Sequence, residues 1–236
     1  MSRARIIETI FAPARLPIEA QSREAAMGET DGLEPGERPT TLSGIDEAIH
    51  ACRRCPIGLL DNQAVMGEGP KKAELMIVGE QPGDREDLIG RPFVGPAGRV
   101  LDAALERAGI DRRQVYLTNA VKHFKYVQRG KRRLHQSPTA KEIDICRWWF
   151  EGERAIVKPK LILALGGSAA RGVFGKSVTI GKMRGMPHPL GGGSELWVTA
   201  HPSYLLRLRD EMKEQQQHLF QADLAAVAER LAELVG

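Results

Sequence analysis

Four short apolar runs constrain this chain more than anything else in it: "AELMIVG" at 73–79, "QVYLTNA" at 114–120, "KLILALGG" at 160–167 and "ELWVTAHP" at 195–202. Each is too short for a buried helix, is nearly continuous in apolar residues, and ends on glycine or a polar residue, which is how a strand buried on both faces reads. Helical spacing fills the gaps between them. It runs through Val100, Leu101, Ala104, Leu105 and Ala108, through "SPTAKEIDICRWWFEGERAIV" with Ser137 as opening cap and Pro138 in the first turn, and through most of Tyr204 to Val235. Strands alternating with helices predict an α/β chain, a three-layer αβα sandwich around a mostly parallel four-stranded sheet. Such sheets bind ligands beyond the carboxyl ends of their strands. That edge would gather Glu80 and Gln81, Asn119, the turn from Gly166 to Ser168, and His201.

Residues 1–40, with "GETDGLEPGERPT" at their end, carry linker chemistry and predict a partly disordered extension ahead of one domain over 41–236. With 42% hydrophobic and 27% charged residues the chain reads as an ordinary globular protein. It holds no run near the ~20 apolar residues that span a bilayer, and its N-terminus lacks an export h-region, so no membrane role and a cytoplasmic location are expected. A net charge of +4 does not by itself demand a nucleic-acid partner, but six Lys or Arg and no acid fall between Lys122 and Arg133. The run Lys131-Arg132-Arg133 suits phosphate contact, and His135 stands directly behind it; a solvated loop is the plainer reading. "GGSAARGVFGKS" is no phosphate loop, because a Walker motif needs glycine where Ala170 stands. Cys52 and Cys55 form a CxxC pair in a chain without an export signal, which favours metal ligation over a disulfide, and Cys146 is a distant third thiol. A redox pair competes with that reading, although this pair follows a helix-like stretch capped by Ser43 rather than a strand.

Taken together, "GEQPGDREDLIGRPFVGPAGRVLD" at 79–102, "TNAVKHFK" at 118–125 and "HPSYLLR" at 201–207 resemble the uracil-DNA glycosylase superfamily, in the order and spacing of its iron-sulfur branch. Gln81, His123 and the "KRRLH" segment at 131–135 resemble the type X enzymes (UdgX) within it. The resemblance covers about four fifths of the chain, from about residue 45 to its end. It implies an enzyme that draws uracil out of the DNA stack. Phe93 would stack on the base, Asn119 would read its edge with one acceptor and one donor, and Gly79 and Ser203 would complete the pocket. His201 would stabilise negative charge at uracil O2 as the base departs. His135 would then attack C1′ of the sugar and leave the protein covalently attached to DNA in a single turnover, with Glu80 orienting its imidazole. Gln81 would support the attack, and Asp84 would arrange the site or cap a helix. Lys131, Arg132, Arg133 and Arg207 would contact phosphate. His188-Pro189 mimics the His201 motif but lacks a preceding strand, so it is expected to be a loop.

The resemblance also supplies a fourth ligand. A [4Fe-4S] cluster on Cys52, Cys55, His123 and Cys146 is implied, with Trp148 and Trp149 as its shield, although a Cys3His zinc site uses the same residue types. The implied partner is uracil-containing DNA, preferably single-stranded, with free uracil as product and the protein a monomer. Two other readings stand beside this one: a turning-over glycosylase in which water attacks C1′, and a noncatalytic DNA-binding module.

Overall fold

The computed structural model describes residues 37–236, so the expected extension lies outside the described residues as far as residue 36. Along the chain come α1 (Leu42–His50), β1 (Leu75–Gly79), α2 (Asp84–Ile89), α3 (Pro96–Arg107), β2 (Val115–Asn119), β3 (Tyr126–Arg129) and β4 (Arg132–His135). There follow α4 (Ala140–Val157), β5 (Leu161–Leu165), α5 (Gly167–Phe174), α6 (Ile180–Met183), β6 (His188–Pro189), β7 (Glu195–Thr199), α7 (Pro202–Arg207) and α8 (Asp210–Val235). The main sheet has the order β2-β1-β5-β7-β6, parallel except at β6.

Alternate residues of each strand serve two separate cores, which is why the apolar runs are unbroken. Leu75, Ile77, Leu161, Leu163 and Leu165 pack with Leu101 and Leu105 of α3, Leu205 of α7, and Phe220 and Leu224 of α8. Met76, Val78, Ile162 and Ala164 pack instead with Phe150 and Val157 of α4 and with Ala169, Ala170 and Val173 of α5. These are the three expected layers. A third, smaller core gathers Ile45, Ile49, Ile57, Val121, Ile143 and Trp149 around Cys55 and Cys146. Among the described residues no helix is long and apolar enough to cross a membrane.

Several local expectations change. The sheet has five strands, because His188 and Pro189 fold back antiparallel onto Leu196 and Glu195 through the Gly191–Gly193 turn, at an edge where proline costs no ladder bond. His188 is therefore strand rather than loop, and its Nε2 lies 3.0 Å from the Met183 carbonyl. Helix α1 is capped by Thr41 instead of Ser43. Helix α4 opens at Thr139 instead of Ser137: Thr139 accepts from the Glu142 amide while Glu142 reaches back to the Thr139 amide. That reciprocal cap requires a glutamate three residues on, which Thr139 has. The acid-free basic stretch is not a loop but an antiparallel hairpin, β3 on β4, pairing Tyr126 with His135 and Arg129 with Arg132.

Half of its cations point inward. Lys122 is completely buried, and its Nζ lies 2.6 Å from Glu153 Oε2, 2.6 Å from Thr118 Oγ1 and 2.8 Å from the Asn119 carbonyl. Glu153, equally buried, also accepts from Thr118 Oγ1 and the Gly67 amide. Lys125 pairs with Glu142 at 2.8 Å, and Arg133 pairs with Asp84 and Asp87. A buried pair is held at a desolvation cost, so removing one partner strands the other's charge. Lys122→Met is accordingly expected to lose about 3–5 kcal/mol of unfolding free energy by urea titration. Lys122→Met/Glu153→Met should lose clearly less than the sum of the two single substitutions.

Candidate active site

The carboxyl ends of β1, β2, β5 and β7 open into a cavity of about 1040 Å³. Its lining includes Glu80, Gln81, Asp84, Phe93, Asn119, His135, Ser203, His201 and Arg207, so the sequence-selected residues of the sheet edge converge as expected. Gly79 lies directly beneath: a Cβ there would run into the Asn119 side-chain oxygen and the Phe93 ring, so the close approach of those two flat groups requires glycine.

Phe93 is buried and holds a left-handed backbone, φ 57°, which costs a non-glycine residue about 1–2 kcal/mol. Two contacts hold it there. The Gly95 amide donates to buried Glu86 at 2.9 Å, and Gly98 lets the helix α3 backbone close against the Phe93 carbonyl. A strained residue at a pocket wall is the pattern expected where ring placement matters more than local stability.

His201 sits at the N-terminus of α7. Its Nδ1 accepts from the Ser203 amide at 3.1 Å and faces Ser203 Oγ at 2.8 Å. With Nδ1 as acceptor, the neutral ring carries its proton on Nε2, the remaining donor. Burial pushes its pKa down to about 4; Arg207 and His135 act in the same direction against the pull of Glu80, so the ring is neutral near pH 7.

Glu80 joins two elements. Its Oε1 lies 3.3 Å from His135 Nε2 and its Oε2 accepts from Ser168 Oγ at 2.5 Å. Burial alone would raise its pKa, but hydrogen bonds from His135 and Ser168 outweigh it and hold the carboxyl below the usual range. Ser168 stood on the predicted edge without a role; the signal was its place just after the Gly166-Gly167 turn. Gln81 staples the base of the hairpin, donating to the carbonyls of Lys125 (3.3 Å) and Gln136 (3.0 Å) and accepting from the Lys125 amide (3.2 Å).

Arg133 corrects an expectation. It is not presented to phosphate: its Nε lies 2.7 Å from Asp84 Oδ1, its Nη1 pairs with Asp87, and its guanidinium covers the stacked rings of Phe124 and Tyr126. Two carboxylates and two aromatic faces outcompete solvent for a planar cation. Asp84 is likewise not the cap of α2, a position held by Gly83, but the first residue of the helix and a partner of Arg133. Sequence reasoning missed Asp87, which is nearly fully buried. Lys131, Arg132 and Arg207 are exposed.

On the far side of β2, Cys55 and Cys146 lie in the small third core with Cys52 packed against it, and His123 is buried and bridged to Ala64 of the same core. N–H groups point at the sulfurs: the Trp149 indole to Cys52 at 3.2 Å and the Lys122 amide to Cys146 at 3.3 Å. Burial pushes the Cys146 thiol up to about 12 and also raises that of Cys55, so these groups ionise only with a cation to hold them. Burial lowers His123 to about 4, leaving it neutral and able to ligate. Among the described residues no three His, Cys, Asp or Glu side chains converge as the ligands of one ion. Trp148 packs at the margin of this core, and the guanidiniums of Arg38 and Arg54 lie over its ring.

The family model described as "Uracil DNA glycosylase superfamily" matches residues 66–225. A "Type-4 uracil-DNA glycosylase" of Thermotoga maritima is 39% identical over 73% of this chain and 86% of its own. Proteins of the same description from Pyrobaculum aerophilum and Archaeoglobus fulgidus are 36% and 33% identical, over 78% and 72% of this chain and 91% and 87% of theirs. With its family match running from ahead of β1 well into α8, and with Phe93, Asn119 and His201 brought to one cavity, the chain belongs to the uracil-DNA glycosylase superfamily.

Proposed function

We propose that the protein excises uracil from DNA and, as in the type X enzymes it resembles, captures the sugar through His135, so that each molecule reacts about once. The observation that carries the covalent step is the placement of His135: its imidazole lines the cavity with Nε2 beside the ionised Glu80. Phe93 stacks on the extruded base and Asn119 pairs with its N3–H and O4, a pattern that leaves cytosine's reversed edge unpaired. The C1′–N1 bond breaks with its electron pair going to the base, where the His201 Nε2–H meets the charge developing at O2. The lone pair of a His135 ring nitrogen closes on C1′, and the proton on the ring's other nitrogen, made acidic by the new bond, passes to the departing uracil anion or to solvent, while Glu80 stays a carboxylate that orients the ring. An N-alkyl imidazole is a poor leaving group, which is why turnover stops there.

On this reading the cysteine core is also the seat of a resident group. Cys52, Cys55 and Cys146, with His123, would hold a [4Fe-4S] cluster; N–H donors aimed at sulfur favour the thiolates that such a cluster requires. It would tie α1, the segment after β2 and α4 together, acting on structure rather than on the sugar. Unpaired uracil-containing DNA is the proposed substrate, with free uracil as product and a monomeric enzyme.

The names of the relatives fit equally well a glycosylase that uses water and turns over. Denaturing electrophoresis with uracil-containing single-stranded DNA separates the two. The covalent reading expects a heat-stable protein–DNA band, absent in His135→Ala, and at most about one equivalent of uracil released per enzyme. Multiple turnovers with no such band would establish the water reading. A second prediction concerns pH. Because His201 works as a neutral donor with a pKa of about 4, uracil release should not decline as pH rises through 6 to 8. An imidazolium donor would lose activity across that window.

A further inference from the structure

The β3–β4 hairpin has two chemically different faces. Strand alternation and the register put Tyr126, Gln128, Arg133 and His135 on one face, the face that meets Asp84, Asp87 and Glu80. The opposite face carries two cross-strand pairs, Val127 with Leu134 and Arg129 with Arg132. Val127 is 52% and Leu134 39% exposed, and both arginines are exposed. Among the described residues no carboxylate pairs with Arg129 or Arg132, whereas Lys122, Lys125 and Arg133 of the same basic run are all committed to acids. This face thus places two open guanidiniums beside a small apolar step.

We infer that the outer face of this hairpin is the docking platform for unpaired nucleotides flanking the target in the substrate strand, with Val127 and Leu134 beneath their bases and Arg129 and Arg132 on their phosphates. The inference rests on the uracil-DNA reading above and deepens it by naming a subsite for the strand beside the target. Charge complementarity selects the occupant, since there is no acid on the chain between Lys122 and Lys141 to attract a basic peptide. Guanidinium planes serve both base faces and phosphates, so the mixture suits a polyanion with apolar rings better than a purely apolar partner. Geometry selects the unpaired form. His135 faces the cavity from one side of a four-residue strand, so neighbouring nucleotides reach the other side by passing round the hairpin's edge. A single strand makes that turn without breaking base pairs. The platform is about 13 Å long, enough for roughly two nucleotides.

The test compares half-saturating concentrations for single-turnover uracil release from a single-stranded 15-mer and from a trinucleotide with uracil at its centre. The wild-type protein should half-saturate with the 15-mer at about tenfold lower concentration, the size of one or two stacked bases. Val127→Ser/Leu134→Ser should lose most of that gain. Arg129→Gln/Arg132→Gln, substituted at exposed positions that leave the hairpin's packed face intact, should lower the slope of log affinity against log salt by about 1.4. Wild-type length dependence and salt slope in both variants would overturn the inference, as would no length dependence in the wild-type protein. No uracil release from either oligonucleotide would instead overturn the proposed function itself.

Discussion

The reactive edge of the molecule hangs on one arginine. Arg133 stands on a hairpin that belongs to no larger sheet, and two-stranded ribbons alone are marginal in water. Its guanidinium is held between the carboxylates of Asp84 and Asp87 and the rings of Phe124 and Tyr126, which pins the hairpin to the start of α2. His135 lies two residues further along the same strand, hence on the same face, and is carried to Glu80 by that pinning. Gln81 closes the hairpin's open end through the backbone on both sides of it. The imidazole is therefore placed in part by residues outside the cavity lining: Arg133, Asp87 and the rings of Phe124 and Tyr126.

A second tie works at the other end of the same segment. The strand that delivers Asn119 to the cavity runs on into Lys122 and His123, so the Asn119 amide and the cysteine core are only a few residues apart. The buried Lys122–Glu153 pair fixes that passage: Lys122 Nζ holds the Asn119 carbonyl while its amide donates to Cys146. Anything that stabilises the cysteine core thereby steadies the backbone that carries the Asn119 amide into the cavity. A cluster bound there, as proposed, would have a mechanical task that requires no electron transfer.

The layers, the sheet edge and the residues on it were legible in the sequence because each rests on a local signal: an apolar run for a strand, the polar residue closing it for the site. What stayed hidden is pairing between distant segments. A basic run reads as a phosphate contact until Glu153, Glu142, Asp84 and Asp87, all remote in sequence, are found to claim three of its cations. Arg133 was misread for that reason and Asp87 was missed. Hairpin formation escaped notice because Gly130-Lys131 is a weak turn signal among charges, and β6 because a His-Pro dipeptide has no strand character of its own. Helix starts slipped by two residues wherever a better acceptor stood beside the one chosen, as Thr139 does beside Ser137.

The two groups nearest the proposed chemistry are pushed in opposite directions by one environment. Hydrogen bonds from His135 and Ser168 keep Glu80 ionised despite its burial, whereas burial keeps His201 neutral despite that carboxylate. On the proposed reaction this asymmetry matches the charges that develop. The sugar turns positive as the glycosidic bond loosens, and the fixed negative charge stands on its side of the cavity with His135. The base turns negative, and a neutral N–H donor is there to meet it. A cationic His201 would bind the departing anion more tightly, but it would also pair with Glu80 and cancel the field that the sugar needs. Separating a permanent carboxylate from a neutral donor stabilises both halves of the transition state without either group neutralising the other.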